Sequence, residues 1–341
     1  MFNLRIKRGR NLAIDLGNSN TIITEKFTEY HSQPSVVALN QGSKSVNAVG
    51  MKAYEMIGKV SSNLNVVKPI KGGVIADYDS ATKMLKALME KAYPHKSFFG
   101  YKNIVSGVPY STTEVERRAL RDAIGQFNCS NTYLLFEPLA AAIGLGLDIR
   151  EPDGKFIVGV GGGITETVLI SLSGVVAYKS IKIGGETFDE EIQDYFRRTH
   201  KIEIGINTAE VIKIKVGAAT DNLKNAPEPY LLVGKDMMTG IPVNCLIDYK
   251  EVAHILDNSL LKIEQAILQT LEECPPELAS DIYNNGIHLT GGSALLRGLK
   301  ERFEEKIGLQ FHLDPDALLS VSKGISTVLK DTEGYKSVLF K

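Results

Sequence analysis

A carboxylate placed just before a glycine turn can hold a hydrated cation against phosphate, and Asp15-Leu16-Gly17-Asn18-Ser19-Asn20-Thr21 has that form. The segment follows the apolar run Leu12-Ala13-Ile14 and precedes Ile22-Ile23, so the spacing predicts strand, tight turn and strand. Glycine lets backbone N–H groups approach phosphate oxygens, neighbouring hydroxyls add donors, and Asp15 can hold a divalent metal or its waters. The pattern recurs at Gly159-Val160-Gly161-Gly162-Gly163-Ile164-Thr165, between Phe156-Ile157-Val158 and Val168-Leu169-Ile170. There the place of Asp15 is taken by Gly159. A third turn, Thr290-Gly291-Gly292-Ser293-Ala294, offers backbone against which a nucleoside can lie where any β-carbon would collide. One Asp-Leu-Gly triplet says little, but three such turns predict a nucleotide bound by two duplicated halves, with one carboxylate missing from the metal cage.

Alternating strand-like and helical patterns must position these turns, and they predict α/β architecture with mixed sheets. Ser35 to Leu39 reads as a strand and Ser80 to Ala92 as a helix with Ala81, Met84, Leu85, Leu88 and Ala92 on one face. Ile104 to Pro109 is a buried strand. Thr113 and Glu116 form a capping box that opens a helix through about Phe127. Tyr133 to Phe136 is a strand, after which Glu137-Pro138 opens the small-residue helix Leu139-Ala140-Ala141-Ala142. In the second half, Thr187 and Glu190 predict a capping box ahead of a helix from Phe188 to Arg198. Val252, Ile255, Leu256, Leu260, Ile263, Ile267 and Leu271 mark a long amphipathic helix stopped by Pro275-Pro276. After the strand Ile287 to Thr290, the third turn is expected to run straight into a helix carrying Leu295, Leu296, Leu299 and Phe303. Tyr230 to Pro242 reads as a surface loop, available either for subunit contacts or for ordinary packing.

At 341 residues the chain can build two domains with large cores, and its formal net charge of -1 argues against a general nucleic-acid binder. Cys129, Cys245 and Cys274 form no CxxC pair, which favours a reduced cytoplasm, and the histidines lack zinc-ligand spacing. No apolar run reaches the roughly 18 residues of a spanning helix.

Read together, Asp15-Leu16-Gly17, Gly72 to Asp77, Phe136-Glu137-Pro138-Leu139-Ala140-Ala141-Ala142, Ala209-Glu210 with Ile212-Lys213, Pro275-Pro276-Glu277-Leu278 and Leu289-Thr290-Gly291-Gly292 resemble the bacterial actin homologue MreB. Tyr54 to Lys59 looks like that family too, so the resemblance covers nearly the whole chain. It implies an actin-like ATPase fold, two ribonuclease-H-like halves with ATP or ADP and Mg2+ in the cleft. It also implies a domain I over 1–150, with a small subdomain about 32–77 and a C-terminal return over 320–341, and a domain II over 151–319 with a small subdomain about 184–251. By the same resemblance Asp15, Gly17, Asn18, Ser19 and Asn20 form the first phosphate loop, and Asp15 holds magnesium through water. Gly161, Gly162, Gly163 and Thr165 form the second loop, and Gly291, Gly292 and Ser293 the third. Glu137 would orient the attacking water as a general base; from its position alone it is also a carboxylate favourable to a helix N-terminus. Glu210 and Lys213 match a nucleoside-contacting pair, though by spacing they equally form an exposed i,i+3 ion pair. The family makes double antiparallel protofilaments at the inner membrane face, with cell-wall elongation proteins as partners, which implies a cytoplasmic, peripheral location.

Gly159 and Ile164 depart from the family, which has Asp before the second set of glycines and Ser or Thr after them. Ser293 stands where glycine is usual, and the usual Glu-Asp-Pro appears as Leu313-Asp314-Pro315-Asp316. The expectation is a divergent MreB relative that binds ATP and hydrolyses it slowly or not at all, alone or co-assembled with another MreB as a non-hydrolysing scaffold. A sugar or acetate kinase of the same fold needs an acceptor site that no pattern here supplies, and a heat-shock-70 chaperone needs a long peptide-binding domain. Two segments are candidates for membrane contact: Phe98-Phe99, in the region of the family's hydrophobic loop, and the N-terminal Met1 to Arg10, with four cations and three large apolar residues. The latter alternates, so an edge strand is its rival reading.

Overall fold

The computed structural model describes residues 10–25, 29–94 and 100–341. The proposed membrane contacts Phe98 and Phe99, and all of the N-terminal segment before Arg10, lie outside the described residues. Two units are distinguished: Met1–Asp153 with Ile170–Val175 and Leu318–Lys341, and Gly154–Leu169 with Val176–Ala317.

In the first unit, β1 (Arg10–Leu16) buries Leu12, Ala13 and Ile14 and turns through Gly17 into β2 (Asn20–Thr24), antiparallel to it, with Asp15 opposite Ile22. β3 (His31–Pro34) pairs with β2. A small sheet follows from β4 (Val37–Asn40), β5 (Val46–Val49), helix α1 (Met51–Tyr54) and β6 (Leu64–Val67), then a hairpin of β7 (Ile70–Lys71) and β8 (Val74–Ile75). α2 (Tyr78–Ala92) starts on an Asp77 cap and buries Ala81, Met84, Leu85 and Leu88, the residues whose spacing marked it. β9 (Tyr101–Val108) lies parallel to β1, and β10 (Cys129–Phe136) parallel to β9. Between them α3 (Glu114–Gly125) opens with the Thr113–Glu116 capping box. α4 (Glu137–Gly144) begins where β10 ends.

The second unit repeats the plan with β11 (Lys155–Val160), β12 (Thr165–Ser171) and β13 (Gly174–Ile181). α5 (Gly185–Tyr195) continues into a π-helical turn over Phe196–His200. A small sheet of β14 (Ile202–Glu203), β15 (Tyr230–Asp236) and β16 (Pro242–Ile247) is interrupted by α6 (Ile206–Val216). Then come α7 (Tyr249–Glu272), α8 (Pro276–Asn285), β17 (Ile287–Thr290), α9 (Leu299–Ile307) and β18 (Phe311–Leu313). α10 (Ser320–Lys330) returns the chain to the first unit.

The duplication is visible in the strand order. The large sheets run β3-β2-β1-β9-β10 and β13-β12-β11-β17-β18. In each, the first, fourth and fifth strands are parallel, and a small sheet is inserted between the third and fourth. β1 and β11 are therefore counterparts, and each delivers its last residues to a glycine turn. Separate cores hold the halves: Leu12, Ile14, Met84, Leu85 and Ile104 in one, and Phe156, Phe188, Leu256, Ile263 and Phe303 in the other.

Three local expectations are corrected. α5 starts at Gly185, not Phe188, because Gly185 and Glu186 donate their N–H groups to the carbonyls of Gly161 and Gly162 and carry the helix start back to that turn. Thr187 is consequently inside the helix, where its hydroxyl accepts from the Gly184 N–H. The third turn does not run directly into α9. A single 3-10 turn over Gly292–Leu295 comes first, and Gly298, at φ 75°, restarts the chain as α9. Tyr230 to Pro242 is mostly strand: β15 pairs with β16 from Tyr230 opposite Ile247 to Lys235 opposite Pro242. Among the described residues no helix is long and apolar enough to cross a membrane.

Candidate functional site

The first unit brings Asp15, Gly17, Asn18, Ser19, Asn20 and Glu137 onto its β1, β2 and α4 termini. Gly17 donates to the Asn20 carbonyl at 3.0 Å, and a β-carbon on Gly17 would come within 2.9 Å of the same oxygen, so the tightness of the turn requires glycine. Ser35 braces it, donating its hydroxyl to the Gly17 carbonyl at 2.6 Å and its N–H to the Ser19 carbonyl at 2.9 Å. Asn18 spends its side-chain oxygen on the Gly73 N–H, at 2.7 Å, and so fixes the β7–β8 turn beside the first loop. Asp15 is only partly exposed, and its withdrawal from water pushes its carboxyl pKa up to about 6, opposed by a hydrogen bond from Ser322. Glu137 occupies the first turn of α4, and its Cγ lies 3.2 Å from where a β-carbon on Gly107 would stand.

The second unit gathers Gly161, Gly162, Gly163, Lys213, Gly291, Gly292 and Ser293 around the start of α5. A β-carbon on Gly184 would come within 2.6 Å of the Gly161 carbonyl, and one on Gly291, at φ 90°, within 2.4 Å of the Val160 carbonyl. Both positions require glycine because backbone packs directly on backbone there, which draws the second and third turns together at the start of α5. Ser293 donates its hydroxyl to the Gly161 carbonyl at 2.8 Å, so this departure from glycine ties the third turn to the second. Lys213 is half-buried against α5, with Nζ 2.8 Å from the Gly185 carbonyl and 2.8 Å from Asp189 Oδ1. That pair joins α6 to α5 across 24 residues of sequence. Thr165 is fully buried and donates its hydroxyl to the Ile183 carbonyl at 2.8 Å, so it fastens the strand below the turn. Glu210 lies on α6, one helical turn before Lys213.

Gly159 is the informative place. A β-carbon there would meet nothing closer than 3.9 Å, so backbone packing does not demand glycine at this position. Among the described residues no group of three or more His, Cys, Asp or Glu side chains is arranged to hold a metal ion. Sequence reasoning missed Gly184, Gly185, Asp189, Gly107 and Ser322. The Gly184-Gly185 pair before a helix was a readable signal; the others depend on contacts that spacing does not reveal.

The sequence pattern of the MreB/Mbl protein family matches residues 9–337. The chain is 38% identical to the cell shape-determining protein MreB of Escherichia coli K12 over 336 residues, 96% of either chain. It is 37% identical to the cell shape-determining protein Mbl of Bacillus subtilis 168, covering 95% of this chain and 97% of that one. Its fold superposes on the crystal structure of MreB5 of Spiroplasma citri bound to AMPPNP with a TM-score of 0.91 and 31% identity, over 97% of this chain and 98% of that one. The same protein bound to ADP gives a TM-score of 0.90.

Proposed function

The chain belongs to the MreB/Mbl family and has its actin-like fold, and from that premise we propose that it is an ATP-binding filament subunit of the cell-shape machinery at the inner membrane face, with weakened hydrolysis. One observation carries the reading: the counterpart strands β1 and β11 reach equally tight glycine turns, but β1 brings Asp15 and β11 brings Gly159. In this reading Asp15 holds the water shell of a magnesium ion, which when bound supplies charge neutralisation at the phosphates. The glycine turns, with Ser19, bind the phosphates. Glu210 and Lys213 on α6 and the third turn receive the nucleoside, and Asp189 keeps Lys213 in place. Glu137 orients the attacking water, and phosphoryl transfer asks little of a protein beyond such positioning. Binding survives because the glycine turns are kept; hydrolysis suffers because a charge and a hydroxyl are gone at 159 and 164.

Negative-stain electron microscopy of the purified chain, beside phosphate release, tests this. The expected result is filaments with ATP and phosphate release well below that of the Escherichia coli relative. Soluble particles in every nucleotide state would remove the filament reading, and release at the relative's rate would remove weakened hydrolysis. Gly159 also favours a second reading, a non-hydrolysing scaffold; it is adopted if filaments form only when a hydrolysing family member is mixed in.

For membrane contact the reading takes Phe98 and Phe99 or the basic N-terminal segment, whose cations near anionic lipid are worth about 1 kcal/mol each. Phe98→Ser with Phe99→Ser should abolish most co-sedimentation with anionic liposomes. Undiminished binding would transfer the contact to the N-terminal segment.

A further inference from the structure

The last helix of the chain reaches back to the first phosphate turn. Ser322 on α10 donates its hydroxyl to Asp15 Oδ2 at 2.9 Å, a contact between residues 307 positions apart. Helical serines and threonines by default return their hydroxyl to the carbonyl four residues earlier. Two neighbours on the same helix do this: Ser326 donates to the Ser322 carbonyl at 2.8 Å, and Thr327 to the Lys323 carbonyl at 3.0 Å. Ser322 departs from that habit and spends its proton on the carboxylate. It is 2% exposed, so water does not compete for it.

The position of Ser322 is set rigidly. α10 crosses α4 at backbone contact: a β-carbon on Gly324 would stand 1.7 Å from the Ala140 carbonyl oxygen, and one on Gly144 1.9 Å from the Ser320 carbonyl oxygen. α4 carries Glu137 in its first turn, and the space at Gly107 is shared by Glu137, Val321 and Ile325. One helix crossing therefore sets both acidic groups of the first unit in register.

We propose that Ser322 is a positioning residue for the nucleotide site: its hydroxyl holds the Asp15 carboxylate in the orientation that receives the water shell of the nucleotide's magnesium ion. The proposal rests on the reading of Asp15 given above. A carboxylate left to rotate would lose part of its attraction for the hydrated cation each time it turned away.

The test is a double-mutant cycle on the full chain, with ATP affinity measured in excess Mg2+ and again with the metal chelated by EDTA. For Ser322→Ala, a substitution that keeps the helix and removes only the hydroxyl, the gain in affinity due to Mg2+ should shrink about tenfold, the low end for a hydrogen bond to a charged group. Affinity in EDTA should be unchanged. In an Asp15→Asn background the same substitution should have no further effect, because the group it positions is gone. Ser322→Thr should restore the Mg2+ increment. A Mg2+ increment untouched by Ser322→Ala overturns the proposal. So does an equal fall with and without metal, or additivity with Asp15→Asn, since these mark a merely structural serine. Absence of ATP binding by the wild-type chain in both conditions overturns the nucleotide reading itself, a distinct result.

Discussion

Gly159→Asp combined with Ile164→Thr should raise the rate of phosphate release about tenfold to a hundredfold, the worth of a net gain of one charge-assisted hydrogen bond of ~1.5–3 kcal/mol. The structure admits both changes. The nearest atoms to a β-carbon at 159 are the Glu166 carbonyl oxygen and the Thr290 methyl, both 3.9 Å away, an ordinary contact. Gly159 has no positive φ to restrict it, unlike Gly291, where the same replacement would meet the Val160 backbone. Ile164 takes part in the turn through its carbonyl, which accepts from Gly161 at 2.9 Å, and threonine retains that carbonyl and the β-branch. On the proposed reading, a carboxylate at 159 would add beside the second glycine turn a group able to hold a cation's water shell. Binding of ATP should change less than turnover, because the glycine turns proposed to bind the phosphates are unaltered. If the double variant binds ATP but releases phosphate at the parental rate, the defect lies elsewhere, with Glu137 the first place to look.

How the halves correspond was only partly legible beforehand. Both glycine turns announced themselves, because a turn that tight leaves a local signature: an apolar strand, glycines and a second apolar strand. The paired turns also pointed to a duplication, but its extent resides in the strand order of two sheets, and order is fixed by pairings such as Phe136 with Val108 and Phe156 with Ile287 that join distant segments. Local patterns failed where tertiary contact outweighed them. Thr187 and Glu190 have the spacing of a capping box, yet two hydrogen bonds to Gly161 and Gly162 start the helix earlier. Leu295 and Leu296 fit the period of α9, yet Gly298 breaks the chain between them and it.

In the candidate site the same division holds. Asp15, Glu137 and the glycines could be found because each is tied to the end of a strand or the start of a helix. Thr165 was singled out for its hydroxyl beside glycines, but its strand register turns that hydroxyl inward to Ile183. Lys213 pairs with Asp189, on another helix, a contact that its spacing in the sequence does not reveal. Ser322 carried no sequence signal at all, because a serine inside a helix is unremarkable until its hydroxyl is seen to leave the helix.

Gly324→Ala should be among the most damaging single substitutions in the first unit, although it adds one methyl group to an exposed-looking helix segment of Ser, Lys and Thr. The added carbon would stand 1.7 Å from the Ala140 carbonyl oxygen, less than half an ordinary contact, and the obstacle is backbone on both sides, so no side chain can yield. α10 and α4 must separate. Overpacking of a tight core typically costs 1–3 kcal/mol and occasionally more, and this geometry belongs at the upper end, about 3 kcal/mol. For a unit of this size that lowers Tm by roughly 6–12 °C. Gly125→Ala is the control: that helical glycine has nothing within 4 Å of its would-be β-carbon, and alanine there should be neutral or stabilising by about 0.4–1 kcal/mol through the unfolded state. The separation also moves Glu137 and Ser322 away from the first phosphate turn, since each is held by one of the two helices. ATP affinity should consequently fall even at temperatures where the variant remains folded. A Gly324→Ala chain with wild-type Tm and wild-type ATP affinity would show that the crossing can open without disturbing the site, and would remove the C-terminal helix from the machinery described here.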